Sequence, residues 1–107
     1  MPAYWIARAK ITDPATYQKY TDRVPEILSR YGGKVLARGG PYQIMAGPEY
    51  FQRHVVIEFA TFDQAVACFE SPEYQEASVF RKAGGDVETV IVQGVGNEKF
   101  GIRNLEF

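Results

Sequence analysis

From Ala3 to Ile11 the chain alternates, with Trp5, Ala7, Ala9 and Ile11 on one side and Tyr4, Ile6, Arg8 and Lys10 on the other. A period of two predicts a strand. Thr12-Asp13-Pro14 ends it: the Asp13 carboxylate can accept from free backbone N–H groups as an N-cap, and Pro14 suits the first helical position, where a missing donor costs nothing. The spacing then becomes helical. Tyr17, Tyr20, Val24, Ile27, Leu28 and Tyr31 recur at intervals of three and four and line one face, and Gly32-Gly33 supplies a left-handed C-cap. Pro25 interrupts this pattern and removes an intrahelical hydrogen bond, so the helix is expected to kink or divide near Arg23.

Lys34 to Arg38 predicts a short strand, with Val35 and Ala37 opposed to Leu36 and Arg38. After Gly39-Gly40-Pro41 the apolar stretch Tyr42 to Ala46 can continue it, as an edge strand because Pro41 has no N–H to give a ladder. Gly47-Pro48 opens a loop. Arg53 to Ala60 carries the clearest alternation, with Val55, Ile57 and Phe59 on one face and His54, Val56 and Glu58 on the other. Thr61 and Gln64 form a capping box for a second helix with an inward stripe of Ala65, Cys68 and Phe69. Ser71-Pro72 restarts that helix with Tyr74, Ala77 and Phe80 inward, Gly84-Gly85 ends it, and Val87 to Val95 is the last strand.

Strand, helix, strand, strand, helix, strand is the order of an α+β, ferredoxin-like βαββαβ domain: a four-stranded antiparallel sheet with two helices on one face. The other face is then bare. Ile6, Leu36, Val56 and Ile91 assigned to it are too apolar for open water, so a homodimer is expected, the two sheets meeting over at least ~1,200 Å² in a dimeric α/β barrel. The domain is read over residues 1–95, followed by a C-terminal tail, 96–107. Phe100, Ile102, Leu105 and Phe107 in that tail are expected to pack on the body or on the partner chain.

At 107 residues the chain has room for one domain. Twelve Lys and Arg against thirteen Asp and Glu leave a formal charge of −1, which provides no field toward a phosphate backbone or an anionic membrane, so neither nucleic acid nor membrane is expected as a partner. The N-terminus shows no basic and apolar leader pattern, and no apolar run approaches the ~18 residues of a membrane span. The single cysteine, Cys68, can form no internal disulfide and suits a reducing compartment. A cytoplasmic location is expected.

Strand parity places Arg8, Arg38, His54 and Glu58 together on the face away from the helices, with Tyr42 near them. In this arrangement Glu58 and His54 are the candidate catalytic groups, and Arg8, Arg38 and Tyr42 the candidate substrate-binding ones. A carboxylate beside a guanidinium can act as a base or help hold an anionic substrate. The same residues can equally form an ion pair that does no more than satisfy Glu58 within the sheet. His54 is the only histidine, which excludes a zinc site built on two imidazoles and leaves heme only one strand-borne ligand. Phosphate-loop and dinucleotide fingerprints are absent, and no cofactor or metal is expected. Arg38-Gly39-Gly40 can present N–H groups to an anion or serve as an edge bulge. Tyr17, Tyr20 and Tyr31 read as core, and Cys68 as a buried, inert thiol.

Five segments in order carry a family resemblance: Thr12-Asp13-Pro14 with Tyr17 and Tyr20, Tyr31-Gly32-Gly33, Arg38-Gly39-Gly40, Val55-Val56-Ile57-Glu58-Phe59, and Ser71-Pro72-Glu73-Tyr74. Over Ala3 to Val95 the chain resembles the domain of unknown function 1330 family of the dimeric α/β-barrel superfamily. The resemblance implies a ferredoxin-like fold, facing sheets in a dimer and, by analogy within the superfamily, a pocket between sheet and helices; it implies no activity. Two functions follow from the sequence. One is binding or transforming a small anionic or aromatic metabolite, and the other is a non-catalytic structural or accessory dimer.

Overall fold

The structure is a computed structural model in which residues 1–95 are described; the expected packing of Phe100, Ile102, Leu105 and Phe107 lies outside them. The elements in order are β1 (Ala3–Ile11), α1 (Pro14–Thr21), α2 (Val24–Arg30), β2 (Lys34–Arg38), β3 (Arg53–Phe59), α3 (Phe62–Glu70), α4 (Pro72–Gly84) and β4 (Gly85–Gln93). Each helical half is thus two helices. The caps are those the sequence offers: Asp13 accepts from the Thr16 N–H, Thr61 from Gln64 and Ser71 from Tyr74, each worth about 1 kcal/mol. The chain breaks ahead of Val24, and Pro25 falls in the first turn of α2, where no intrahelical donor is required.

The strands form one antiparallel sheet in the order β2-β3-β1-β4. Trp5 pairs with Ile57 on β3 and with Ile91 on β4, so all three point to the helices. Trp5 anchors the core, its ring lying 6.0 Å from Phe59, 5.4 Å from Phe69 and 5.0 Å from Tyr74 between centroids. Helices α1 and α4 cross closely at Gly84, where an added Cβ would lie 2.7 Å from the Tyr17 nitrogen. The Gly84 carbonyl accepts from the Thr12 and Asp13 N–H groups at 2.9 and 3.0 Å, tying the end of α4 to the start of α1.

Several expectations require correction. Ile91 faces the helices, packed against the core, and the open-face positions on β4 are Val90, opposite Ile6, and Val92, opposite Tyr4. Periodicity fixes the two sides of each strand, but only pairing decides which side meets the core. On β2 a bulge intervenes: Val35 pairs with Ile57, whereas Ala37 pairs with Val56 and Arg38 with Val55. Leu36 is the extra residue, so Arg38 is turned to the helix side rather than to the open face. Tyr42 to Ala46 does not extend β2; it belongs to the loop between Arg38 and Arg53. Phe80 is half-buried under the cations of Lys19 and Arg23 instead of pointing into the core.

Candidate functional site

The helix-covered face is densely filled beneath α3 and α4 by Trp5, Phe59 and Tyr74. Toward β2 the sheet presents shorter side chains, Ala7, Val35 and Val55, and a cavity of about 190 Å³ remains between them and α1 and α2. Its apolar wall includes Trp5, Val24, Leu28 and Ile57, while Tyr17 and Tyr20 reach it from α1. Two cations also line it: Arg38, placed there by the bulge, and Arg53, which shares the helix-facing parity of Val55 and Ile57. Among the described residues no Asp or Glu lines it.

Gly39 holds the Arg53 head close to the end of β2. It has φ +63, and an added Cβ would lie 2.5 Å from Arg53 Nη1, so both the turn and the approach require glycine. The Gly39 N–H donates to the His54 carbonyl at 3.0 Å and is spent on strand pairing, so it is not open to an anion. A third guanidinium lies nearby. Arg81 is only 9% exposed, and its head rests over the rings of Phe69 and Tyr74 at 5.7 and 5.9 Å. Its Nε has no hydrogen-bond partner among the described residues. Burial pushes the Tyr17 phenol up, and the positive charges of Arg53 and Arg81 oppose that rise. Among the described residues the ion pairs are Arg8–Glu88, Arg30–Glu26 and Arg30–Glu73, and none includes Arg38, Arg53 or Arg81.

The other residues singled out in the sequence lie on the opposite face and do not form one cluster. Arg8 and His54 pair across β1 and β3. The Tyr42 ring sits 4.7 Å from the imidazole, and His54 Nδ1 is buried with no partner among the described residues. Arg8 bonds Glu88 at 2.6 Å and lies over the Phe51 ring. Glu58 lies four residues along β3 from His54, about 13 Å away at strand rise. It accepts from the Tyr4 hydroxyl at 3.4 Å and faces Lys34 in register. Among the described residues no arginine pairs with Glu58: Arg8 is engaged by Glu88, and Arg38 is on the other side of the sheet.

Sequence reasoning missed Arg53 and Arg81. Parity alone could have placed Arg53 with Val55, but an arginine at a strand end reads as a solvated charge. Arg81 falls on the buried stripe of α4 with Tyr74 and Ala77, a spacing that carries the signal. Cys68 is fully buried with its thiol pushed up to about 11 by burial, aided by the negative charge of Glu73, as suits an inert sulfur. Among the described residues no group of three His, Cys, Asp or Glu side chains could hold a metal ion. No helix among them is long and apolar enough to cross a membrane.

The model of the domain of unknown function 1330 matches residues 2–95 of the chain. No curated protein matches it significantly. Among solved structures, a protein of unknown function from Rhodopseudomonas palustris aligns with a TM-score of 0.74 at 20% identity, covering 88% of this chain and 82% of its own. A dimeric ferredoxin-like protein of unknown function from Jannaschia sp. aligns with a TM-score of 0.65 at 12% identity, covering 88% and 100%. The cofactor-independent oxygenase SnoaB from Streptomyces nogalater aligns with a TM-score of 0.60 at 12% identity, covering 92% and 97%. At these identities the likeness is one of fold.

Proposed function

The chain belongs to the domain of unknown function 1330 family, and from that footing we propose that it is a homodimer holding a small organic anion in the cavity between sheet and helices. The observation that carries this reading is the charge of the cavity. Arg38 and Arg53 line an apolar space that no carboxylate of the described residues shares, and Arg81 is buried beyond it, in the wall of a separate pocket that includes Asp86 and Glu88. Of the three, Arg38 is exposed, Arg53 half-buried and Arg81 buried; a guanidinium held out of water without an acid partner costs several kcal/mol, so the cost falls chiefly on Arg81 and an anion near it would offset that cost. Guanidinium forks match a carboxylate in geometry as well as in charge.

The dimer is supported by the open face. Val90 is 56% exposed, Leu36 49% and Val92 47%, with Ile6 and Val56 between them in the sheet. A second copy of that face would cover them, as the dimeric state of the Jannaschia relative suggests. In such a dimer Arg8, Tyr42, His54 and Glu58 belong to the sheet-to-sheet side, and Arg38 alone of the candidates drawn from the sequence is carried into the anion site.

Titration calorimetry with benzoate and with the isosteric but neutral benzamide tests the site. Benzoate is expected to bind at least 10-fold more tightly, the ~1.4 kcal/mol of one charge-assisted interaction. Equal affinity for the two compounds, or binding of neither, refutes an anion site.

A further inference from the structure

The cavity carries a second polar feature besides its arginines. Tyr74 is 0% exposed, and the only hydrogen bond its hydroxyl makes among the described residues is to the Tyr20 hydroxyl at 2.8 Å. Either oxygen can be the donor there. If Tyr20 donates, the Tyr74 hydrogen is left in the core without an acceptor, at a cost of about 1–3 kcal/mol. If Tyr74 donates, its hydrogen is satisfied and the unpaired hydrogen passes to Tyr20, the member of the pair that lines the cavity and is only half-buried. The second arrangement is the stable one. It leaves a phenolic O–H ready for a ligand, strengthened because its own oxygen accepts from Tyr74. Burial pushes both phenols up, so both remain protonated donors at neutral pH.

Size limits the ligand. A cavity of about 150 Å³ holds benzene, so the 190 Å³ here accommodates one six-membered ring with small substituents. Apolar space of that size, guanidinium groups and the phenolic donor of Tyr20 together define a chemical class. We propose that the ligand is a single-ring carboxylic acid bearing a second oxygen, as a hydroxyl or ring carbonyl, and that Tyr20, backed by Tyr74, is the specificity-determining residue that donates to that oxygen. This rests on the anion-pocket reading above and extends it from charge to ligand identity.

A site built to hydrogen-bond a ligand oxygen discriminates strongly against an analogue lacking it, because the donor is then left buried and unpaired. The test is a calorimetric comparison of benzoate, the three monohydroxybenzoates and the three methylbenzoates, where methyl replaces hydroxyl at nearly equal size. One hydroxybenzoate is expected to bind at least 10-fold more tightly than the methylbenzoate of the same substitution. Tyr20→Phe should abolish that preference, the hydroxybenzoate and its methyl counterpart then binding within about 2-fold of each other, and Tyr74→Phe should reduce it in part. Thermal melting shows whether each variant is folded. Should either unfold, the wild-type ratio decides alone. Benzoate binding with no hydroxyl preference in the wild type, or a preference that survives in folded Tyr20→Phe, overturns this inference and leaves the anion pocket standing. Binding of no acid at all overturns both.

Discussion

The two faces of the sheet treat charge in opposite ways. On the open face Arg8 and Glu88 meet at 2.6 Å with both side chains more than half exposed, at 51% and 64%. Such a pair contributes about 0–1 kcal/mol. On the covered face Arg53, half-buried, and Arg81, buried, make no ion pair among the described residues, although Asp86 and Glu88 line a pocket with Arg81. Charge is therefore paired where pairing gains little and unpaired where the lack of a partner costs most. A face selected for stability alone would show the reverse, and a binding site commonly carries such a cost in stability. The apolar residues are reversed as well: Trp5, Ile57 and Phe59 are buried beneath the helices, while Val90 and Val92 stand in the open.

If the covered face supplies the stability of the fold, Trp5→Ala should cost about 3–5 kcal/mol by urea denaturation, as expected for a large aromatic truncated within a core. Val90→Ala on the open face should cost the isolated subunit under about 1 kcal/mol. Comparable losses would erase the distinction between the faces. If the open face supplies assembly, Val90→Glu should weaken the dimer at least 100-fold, about 2.7 kcal/mol, with the circular dichroism spectrum unchanged. Sedimentation of both proteins at micromolar concentration measures this, and a monomeric wild type would remove the dimer altogether.

The buried face should also be sensitive to alkali. The Cys68 thiol is raised from its ordinary 9.0 to about 11 by burial, so it favours the folded state fully below pH 9 and less as pH climbs to its folded value. Stability is expected to fall on the order of 2 kcal/mol across that window. Tyr17, Tyr20 and Tyr74, also raised by burial, act in the same direction at higher pH. Urea melts of wild type and Cys68→Ala between pH 8 and 10.5 check the sign, the variant losing less than the wild type. The smallest expected change separates the two faces as binding surfaces. Arg53→Gln should weaken benzoate by about 10-fold, one charge-assisted bond, with Tm held or raised. Arg8→Gln should leave benzoate affinity unaltered, and a loss there equal to that of Arg53→Gln would place the anion on the wrong face.

Much of the fold is legible along the chain because it depends on near neighbours. Asp13-Pro14, Thr61 with Gln64, and Ser71-Pro72 start helices through contacts three residues away, and Pro25 divides the first helical half for a reason contained in its own ring. Alternation in Arg53 to Phe59 separates Val55, Ile57 and Phe59 from His54, Val56 and Glu58 without reference to any other strand. From these local rules the sequence determined the element order, the two-layer architecture and most of the core. The site was not legible in the same way. The bulge at Leu36 turned Arg38 across the sheet, and the phase of β4 exchanged Ile91 for Val90 and Val92, since both depend on register between strands distant in the chain. Tertiary structure alone brought Arg53, Arg81 and the Tyr20–Tyr74 pair to one side of the sheet. A side chain's own sequence fixes its period, but whether a charge meets a partner, a ring or a cavity is decided by which surfaces pack against it.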